Sequence, residues 1–245
     1  MKKDVFGNYV FLKKFLISFI GAITYPRYKW LTRMKVEGTE NLDGLPARNV
    51  LFVSNHQTYF ADVIALLHVF NSVKFKFKNK LGAPVYLLAP RHNNYFVAAE
   101  ETMSAGILPK IFAYAGSVSI KRTFREAGED INRPVKMEDI TRIGEALSDG
   151  WVITFPQGTT KAFAPGRRGT SLLIKKFKPI VIPVVIDGFG KAFDKKGLKK
   201  IKRGVQLSIR FKSPMKIDYD NEDPDVLLER VMEVIEQSEK YKGKE

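Results

Sequence analysis

A histidine and an aspartate six positions apart are the residues of this chain best suited to proton transfer. His56 and Asp62 lie in the segment SNHQTYFAD, residues 54–62. An imidazole whose tautomer is fixed by a carboxylate can remove a proton from a hydroxyl group. The pair therefore predicts general-base catalysis, and the structural alternative is a capping aspartate beside an ordinary loop histidine.

The elements around this pair place it at the end of a strand. Residues 49–54 form an apolar run that predicts a buried strand, and residues 62–70 predict the helix that follows it. His56 then lies in the turn at the carboxyl end of the strand, where open α/β sheets bind ligands. Residues six apart in one regular helix lie on different faces, so His56 must curl back from the turn onto Asp62.

The rest of the chain alternates between predicted strands and helices. One helix precedes Trp151 and ends at Gly150, and another begins at Asp223-Pro224. This alternation predicts one α/β domain over residues 33–245, with a mainly parallel sheet flanked by helices. The other predicted strands are Tyr95 to Ala99, Ser117 to Lys121, Trp151 to Phe155, Ile180 to Ile186 and Val205 to Phe211.

Residues 73–80 alternate between apolar or polar residues and lysines. This period of two predicts a strand with one cationic face. A solvated edge strand protected by lysines is one interpretation. The other is a patch that faces lipid headgroups or an acyl-carrier protein.

The first 32 residues are apolar and aromatic, with Lys13 and Lys14 interrupting the run. The uncharged stretch is too short for a membrane-spanning helix, which needs about 20 residues. A signal peptide is disfavoured because no small-residue cleavage pattern precedes Pro26. A buried core helix and an amphipathic helix in the membrane interface remain, and the flanking basic residues favour the interfacial helix.

Composition narrows the function classes. The 245 residues carry a net charge of +15, which favours anionic partners such as nucleic acid, an anionic bilayer or an acidic carrier protein. No nucleic-acid-binding motif accompanies the charge. The chain has no cysteine and only three histidines without metal-site spacing, so thiolate chemistry is excluded and a metal centre is not expected.

Four segments in order resemble the motifs of the glycerolipid acyltransferase family, which includes bacterial 1-acylglycerol-3-phosphate acyltransferases. The first is the histidine segment with its downstream aspartate. The second is GSVSIKR at 116–122, the third FPQGTT at 155–160, and the fourth the strand IVIPVV at 180–185.

The resemblance implies transfer of a fatty acyl group from an acyl thioester to a lysolipid hydroxyl, most readily that of 1-acylglycerol-3-phosphate. His56 would act as the base, Asp62 would orient it, and Arg122 would bind the anionic headgroup. No cofactor is implied beyond acyl-CoA or acyl-carrier protein as co-substrate. The implied substrate-binding residues are Asn55, Lys121, Arg122, Phe155, Pro156, Gln157, Gly158, Thr159, Thr160 and Lys161.

Two departures from the family pattern affect the substrate prediction. Five residues separate His56 from Asp62 where the family has four, and the third block carries Gln157 and Thr160 in place of glutamate and arginine. Lys161, or a basic pair at 167–168, could supply the missing cation. Otherwise the acceptor carries another headgroup, such as that of an amino-acid lipid, or the protein is a catalytically impaired lipid-binding protein.

The same resemblance implies where the protein works. We expect it at the cytoplasmic face of the cell membrane as a peripheral or monotopic protein, in contact with anionic lipids. A lysolipid acceptor, and in one alternative an acyl-carrier protein, are the expected partners. Nucleic acid is not an expected partner.

Overall fold

The computed structural model describes residues 1–104, 106–121, 125–126, 129–130 and 136–243. Its strands form one seven-stranded sheet and one short two-stranded pair. The strands of the large sheet are β1 (Arg33–Glu37), β2 (Val50–Ser54), β3 (Asn94–Ala99), β4 (Ser117–Ile120), β7 (Trp151–Thr154), β8 (Ile180–Asp187) and β9 (Gln206–Phe211), and the pair is β5 (Arg125–Glu126) and β6 (Glu129–Asp130).

The large sheet has the order β1-β9-β8-β2-β7-β3-β4. The five strands from β8 to β4 run parallel to one another, and β9 pairs antiparallel with β8. β1 runs parallel to β9. The carboxyl ends of β2, β7 and β8 therefore meet at one edge of the sheet, as a binding site in an open α/β sheet requires.

Helices cover both faces of the sheet and bury one hydrophobic core on each. Tyr25, Phe52 and Phe70 belong to the first core, which includes residues of α1 and α2. Leu147, Leu173 and the C-terminal helix form the second. The helices are α1 (Val10–Lys29), α2 (Ala61–Lys74), α3 (Glu100–Ser104), α4 (Ile107–Gly116), α5 (Met137–Asp149), α6 (Arg168–Phe177), α7 (Phe189–Ala192) and α8 (Pro224–Val234).

The predicted fold class is confirmed, and the ends of β2, β3, β4, β7, β8 and β9 lie within one residue of the expected ones, whereas β1 and the short pair were not predicted. The helix predicted before Trp151 is α5, whose apolar stripe of Ile140, Ile143 and Leu147 is buried, and the Asp223 carboxylate caps α8. The prediction of a strand at residues 73–80 is wrong. α2 continues to Lys74, and the chain then turns, with Lys76 at a φ of 65° and Phe77 N bonded to Ser72 O.

Helix α1 has two unlike faces. Ile17, Tyr25 and Tyr28 are buried against the domain, so the core-helix interpretation describes this face. The other face exposes Phe11 and Phe15 together with two further large apolar side chains at the same spacing. No helix among the described residues is long and apolar enough to cross a membrane.

Candidate active site

The histidine and the aspartate meet at the carboxyl end of β2. His56 lies two residues beyond the strand, and Asp62 is the second residue of α2. His56 Nδ1 lies 2.9 Å from Asp62 Oδ2, and the carboxylate is fully buried. Because a carboxylate accepts hydrogen bonds, Nδ1 carries the proton, and Nε2 is left as the proton acceptor.

Asp62 also holds the loop that leads to it. Its Oδ2 accepts from Gln57 N at 2.6 Å and from Thr58 N at 3.0 Å, and its Oδ1 accepts from Thr58 Oγ1 at 2.6 Å. These bonds bend the chain back, which allows His56 to reach a residue six positions further on. The five-residue gap is therefore compatible with contact between the two side chains.

The same loop is supported from outside by the segment that follows α7. Tyr59 N and Phe60 N donate to Lys195 O and Lys196 O, each at 3.0 Å. These carbonyls satisfy backbone donors that the longer loop would otherwise leave unpaired. The longer gap thus has a structural support more than 130 residues away in sequence.

Two residues of the first block anchor the loop to β8 and α7. Asn55 exchanges two 2.8 Å hydrogen bonds with the backbone of Ile186. Gln57 Oε1 accepts from Phe189 N at 2.8 Å. Asn55 is not among the described residues that line the cavity beside His56. In this structure Asn55 positions the loop, and its predicted contact with substrate stays a prediction.

His56 borders a largely apolar cavity of about 650 Å³. Its imidazole stacks on the ring of Phe155, with the centroids 3.9 Å apart and the planes at 20°. The cavity extends between the sheet and helices α3, α5 and α6. Its apolar lining includes Val63, Val97, Met103, Ile120, Ile140, Ile143 and Leu173. This shape and lining suit a hydrocarbon chain that ends beside the histidine.

The third block divides between the cavity and the core. Pro156, Gly158, Thr159, Thr160 and Lys161 line the cavity, and Gly158 has a φ of 63° that suits glycine.

Gln157 instead points into the protein and is buried. Its Nε2 donates to Ala164 O at 3.0 Å and to Gln237 Oε1 at 3.1 Å. Both donor bonds of Gln157 therefore go to protein oxygens, and its predicted contact with substrate stays a prediction.

Cations surround the cavity. Lys161 and both arginines of the basic pair, Arg167 and Arg168, line it, as do Lys121 and Lys136. Lys161 and this pair are the residues that we expect to supply the positive charge missing at Thr160. Arg122, the predicted headgroup ligand, lies outside the described residues.

One carboxylate faces these cations. Asp139 lines the cavity, and burial raises the pKa of its carboxyl above the ordinary value. Among the described residues, no cluster of three or more histidine, aspartate or glutamate side chains could hold a metal ion.

Several residues of the site were not predicted. Thr58, which bonds to Asp62, could have been found from its hydroxyl in the segment between the pair. Asp139, Lys136 and Lys195 had no comparable signal, because each reaches the cavity from an element far away in sequence. Their positions depend on how the helices pack on the sheet.

The sheet and the polar pair at an apolar cavity define an α/β protein of the acyltransferase type. The family model described as Acyltransferase matches residues 33–187, so the chain belongs to the acyltransferase family. The resemblance seen in the four sequence blocks is confirmed.

Solved structures share this fold. One of them is the 1-acyl-sn-glycerophosphate (LPA) acyltransferase PlsC from Thermotoga maritima, with a TM-score of 0.58 and 19% identity over 94% of this chain and 82% of that chain. Among curated protein sequences, none shows significant similarity to this chain.

Proposed function

We propose that this acyltransferase moves a fatty acyl group from an acyl thioester to the hydroxyl of a lysolipid, with 1-acylglycerol-3-phosphate as the first candidate acceptor. The observation that carries the proposal is the 2.9 Å contact between His56 and Asp62 at one side of an apolar cavity. The apolar part suits an acyl chain, and the cations suit a phosphate.

In the proposed reaction His56 Nε2 takes the proton of the acceptor hydroxyl as the oxygen attacks the thioester carbonyl carbon. Asp62 stabilises the imidazolium that forms. The tetrahedral intermediate collapses with cleavage of the carbon–sulfur bond, and the imidazolium returns the proton to the departing thiolate. The products are an ester and a free thiol, and no acyl-enzyme is formed.

The cations of the cavity favour a phosphate-bearing acceptor. The cavity that Thr160 lines is also lined by Lys161, Arg167 and Arg168, which could contact a headgroup bound there. A guanidinium group can bind two phosphate oxygens at once through parallel hydrogen bonds. An acceptor with an amino-acid headgroup is the second candidate, and Asp139 is the observation that favours it, because a carboxylate in the cavity can pair with an ammonium group.

We also propose that the protein works on the cytoplasmic face of the membrane, held there by the exposed side of α1. An apolar stripe with a four-residue spacing suits an interfacial helix. The exposed apolar residues of this face and its surroundings are Phe11, Phe15, Phe19 and Ile23 of α1, Leu88, and Ile107 of α4.

The decisive test is an acyl-transfer assay with the purified protein. Phosphate-bearing and amino-acid lysolipids are each combined with acyl-CoA and with acyl-carrier protein, so that acceptor and donor are identified together. His56→Ala should abolish transfer, with at least a 10²-fold loss expected from removal of a general base, while binding to vesicles is retained. Transfer at the parental rate would refute the mechanism. Absence of transfer by the parent with every pair would favour the lipid-binding alternative.

A further inference from the structure

A second cationic feature lies outside the cavity, in the segment between α7 and β9. Residues 191–203, here called the cationic hairpin, contain seven basic residues and a single acidic one, Asp194. None of the seven is ion-paired with a carboxylate in the described part of the chain. The basic residues are Lys191, Lys195, Lys196, Lys199, Lys200, Lys202 and Arg203.

The backbone of the hairpin is well organised. Phe193 and Lys200 form an antiparallel bridge, and Ile201 N donates to Ala192 O at 2.9 Å. The Asp194 carboxylate accepts from Leu198 N and Lys199 N at 2.9 and 3.0 Å. The one acidic group is therefore engaged by the turn. Six of the seven basic residues are exposed, and the seventh is half-buried.

The hairpin lies beside the catalytic loop. The carbonyls of Lys195 and Lys196 receive the backbone donors of the loop, and Lys195 itself borders the cavity with His56. Gly197 fits closely against the loop, because a Cβ at this position would lie 2.5 Å from Ala61 N. Whatever the hairpin binds is therefore held next to the opening of the site.

The hairpin also contacts α1, the helix that carries the exposed apolar stripe. Arg27 Nη1 donates to Leu198 O at 2.7 Å, which fixes the hairpin against the C-terminal turn of the helix. Trp30, at the end of that helix, is 72% exposed, and Ile201, between the lysines, is 60% exposed. Large apolar side chains among exposed cations are typical of surfaces that meet a bilayer interface.

We propose that the cationic hairpin is a docking surface for the anionic headgroups of a phospholipid bilayer, placed so that the bilayer meets the protein beside the cavity. This inference rests on the proposed function, because it assigns an entry route to the lysolipid acceptor. Charge complementarity alone would fit an acidic carrier protein equally well. The contact with the C-terminal turn of α1 favours the bilayer, because this helix carries the exposed apolar stripe, and exposed apolar residues beside cations suit a lipid interface.

The test measures binding to vesicles of phosphatidylcholine alone and of equal parts phosphatidylcholine and phosphatidylglycerol. The variant K199Q/K202Q/R203Q removes three exposed charges and leaves Lys195 in place. Each basic residue near an anionic surface strengthens binding about five-fold, so the variant should bind the anionic vesicles on the order of 100-fold more weakly. Binding to the neutral vesicles should not change, and added salt should reduce the difference.

The matched control is R48Q/K176Q/K216Q, which removes the same charge at the opposite edge of the sheet. Arg48 precedes β2, Lys176 lies in the last turn of α6 before β8, and Lys216 follows β9. This control should bind anionic vesicles like the parent. Equal weakening in both variants would show a general charge effect and overturn the proposal, as would parental binding by the hairpin variant. Loss of acyl-carrier-protein binding with vesicle binding intact would assign the hairpin to the carrier and refute bilayer docking.

Acyl transfer by the parent in neutral detergent micelles separates the two proposals. Transfer there supports the proposed function whatever the vesicle result. Absence of transfer there counts against the proposed function, and vesicle binding still decides the role of the hairpin.

Discussion

Asp62→Asn separates the charge of the catalytic pair from its geometry. The amide oxygen can take the position of Oδ2 and keep accepting from His56 Nδ1 and from the backbone of Gln57 and Thr58. The amide nitrogen then faces Thr58 Oγ1, whose hydroxyl can accept a hydrogen bond as well as donate one. The loop should keep its shape, and the negative charge disappears.

The expected loss follows from the contact distance. In the proposed reaction His56 becomes an imidazolium during the attack, beside a fully buried carboxylate whose oxygen is 2.9 Å from Nδ1. With charge centres about 4 Å apart and an effective dielectric constant of about 20, the attraction is about 4 kcal/mol. Both charges are delocalised, so we expect kcat to fall roughly 10²–10³-fold with little change in KM, because the charge pair exists only during the reaction.

The assay follows release of the thiol from acyl-CoA at saturating acceptor for the parent, D62N, H56A and the double variant. If the two residues act as one unit, the double variant should be no slower than H56A alone. Asp43→Asn, which removes an exposed carboxylate before β2, serves as the charge control, and urea denaturation checks folding. Less than about ten-fold loss in D62N, or a further loss in the H56A background, would refute this reasoning.

Three further changes test other parts of the molecule. Burial lowers the pKa of His68 to about 3 in the folded protein. The stability that the neutral ring contributes is therefore complete above pH 6.5 and is lost as the pH falls toward 3. His68→Gln should flatten the pH dependence of urea denaturation over that window. Ile143→Phe narrows the apolar cavity and should lower kcat/KM for long acyl donors about ten-fold relative to short ones; an unchanged ratio would remove the acyl chain from this cavity. Gly197→Ala forces a Cβ against Ala61 and should reduce kcat about ten-fold, whereas Gly204→Ala, with a similar φ and open space around it, should not.

The elements with strong local patterns could be predicted from the sequence. β2 and β8 are apolar runs of strand length, and the stripe of α5 has a helical period, so each was found within a residue or two. The prediction of a strand at residues 73–80 is wrong because an alternating pattern of residue types contains no information about which other residues contact the segment in the folded chain. The turn there depends on contacts with distant residues, since Asn79 N donates to Thr39 Oγ1 and Thr39 N donates to Asn79 Oδ1.

The candidate site also has parts that a local sequence pattern predicts and parts that depend on distant contacts. The pair His56 and Asp62 was predicted because both residues lie in one short segment between a strand and a helix. The structural role of Gln157 could not be predicted, because its partner Gln237 is 80 positions away in sequence and lies in the segment that follows α8. Residue types at a motif indicate the chemistry, but contacts between distant elements decide which of them face the cavity.

Helix α1 has a buried face, which fits the core-helix interpretation, and an exposed apolar face, which the interfacial interpretation requires. Its inner face is joined to α2 by buried polar contacts: Tyr28 OH donates to Ala61 O at 2.9 Å, and Thr24 Oγ1 lies 2.9 Å from His68 Nε2. Ala61 directly precedes Asp62. A helix held in this way cannot rotate without moving the first turn of α2, so its exposed apolar face has a fixed orientation relative to the Asp62 carboxylate. If that face lies on a bilayer, the height of the active site above the lipid is set by the packing of α1 rather than by a flexible anchor.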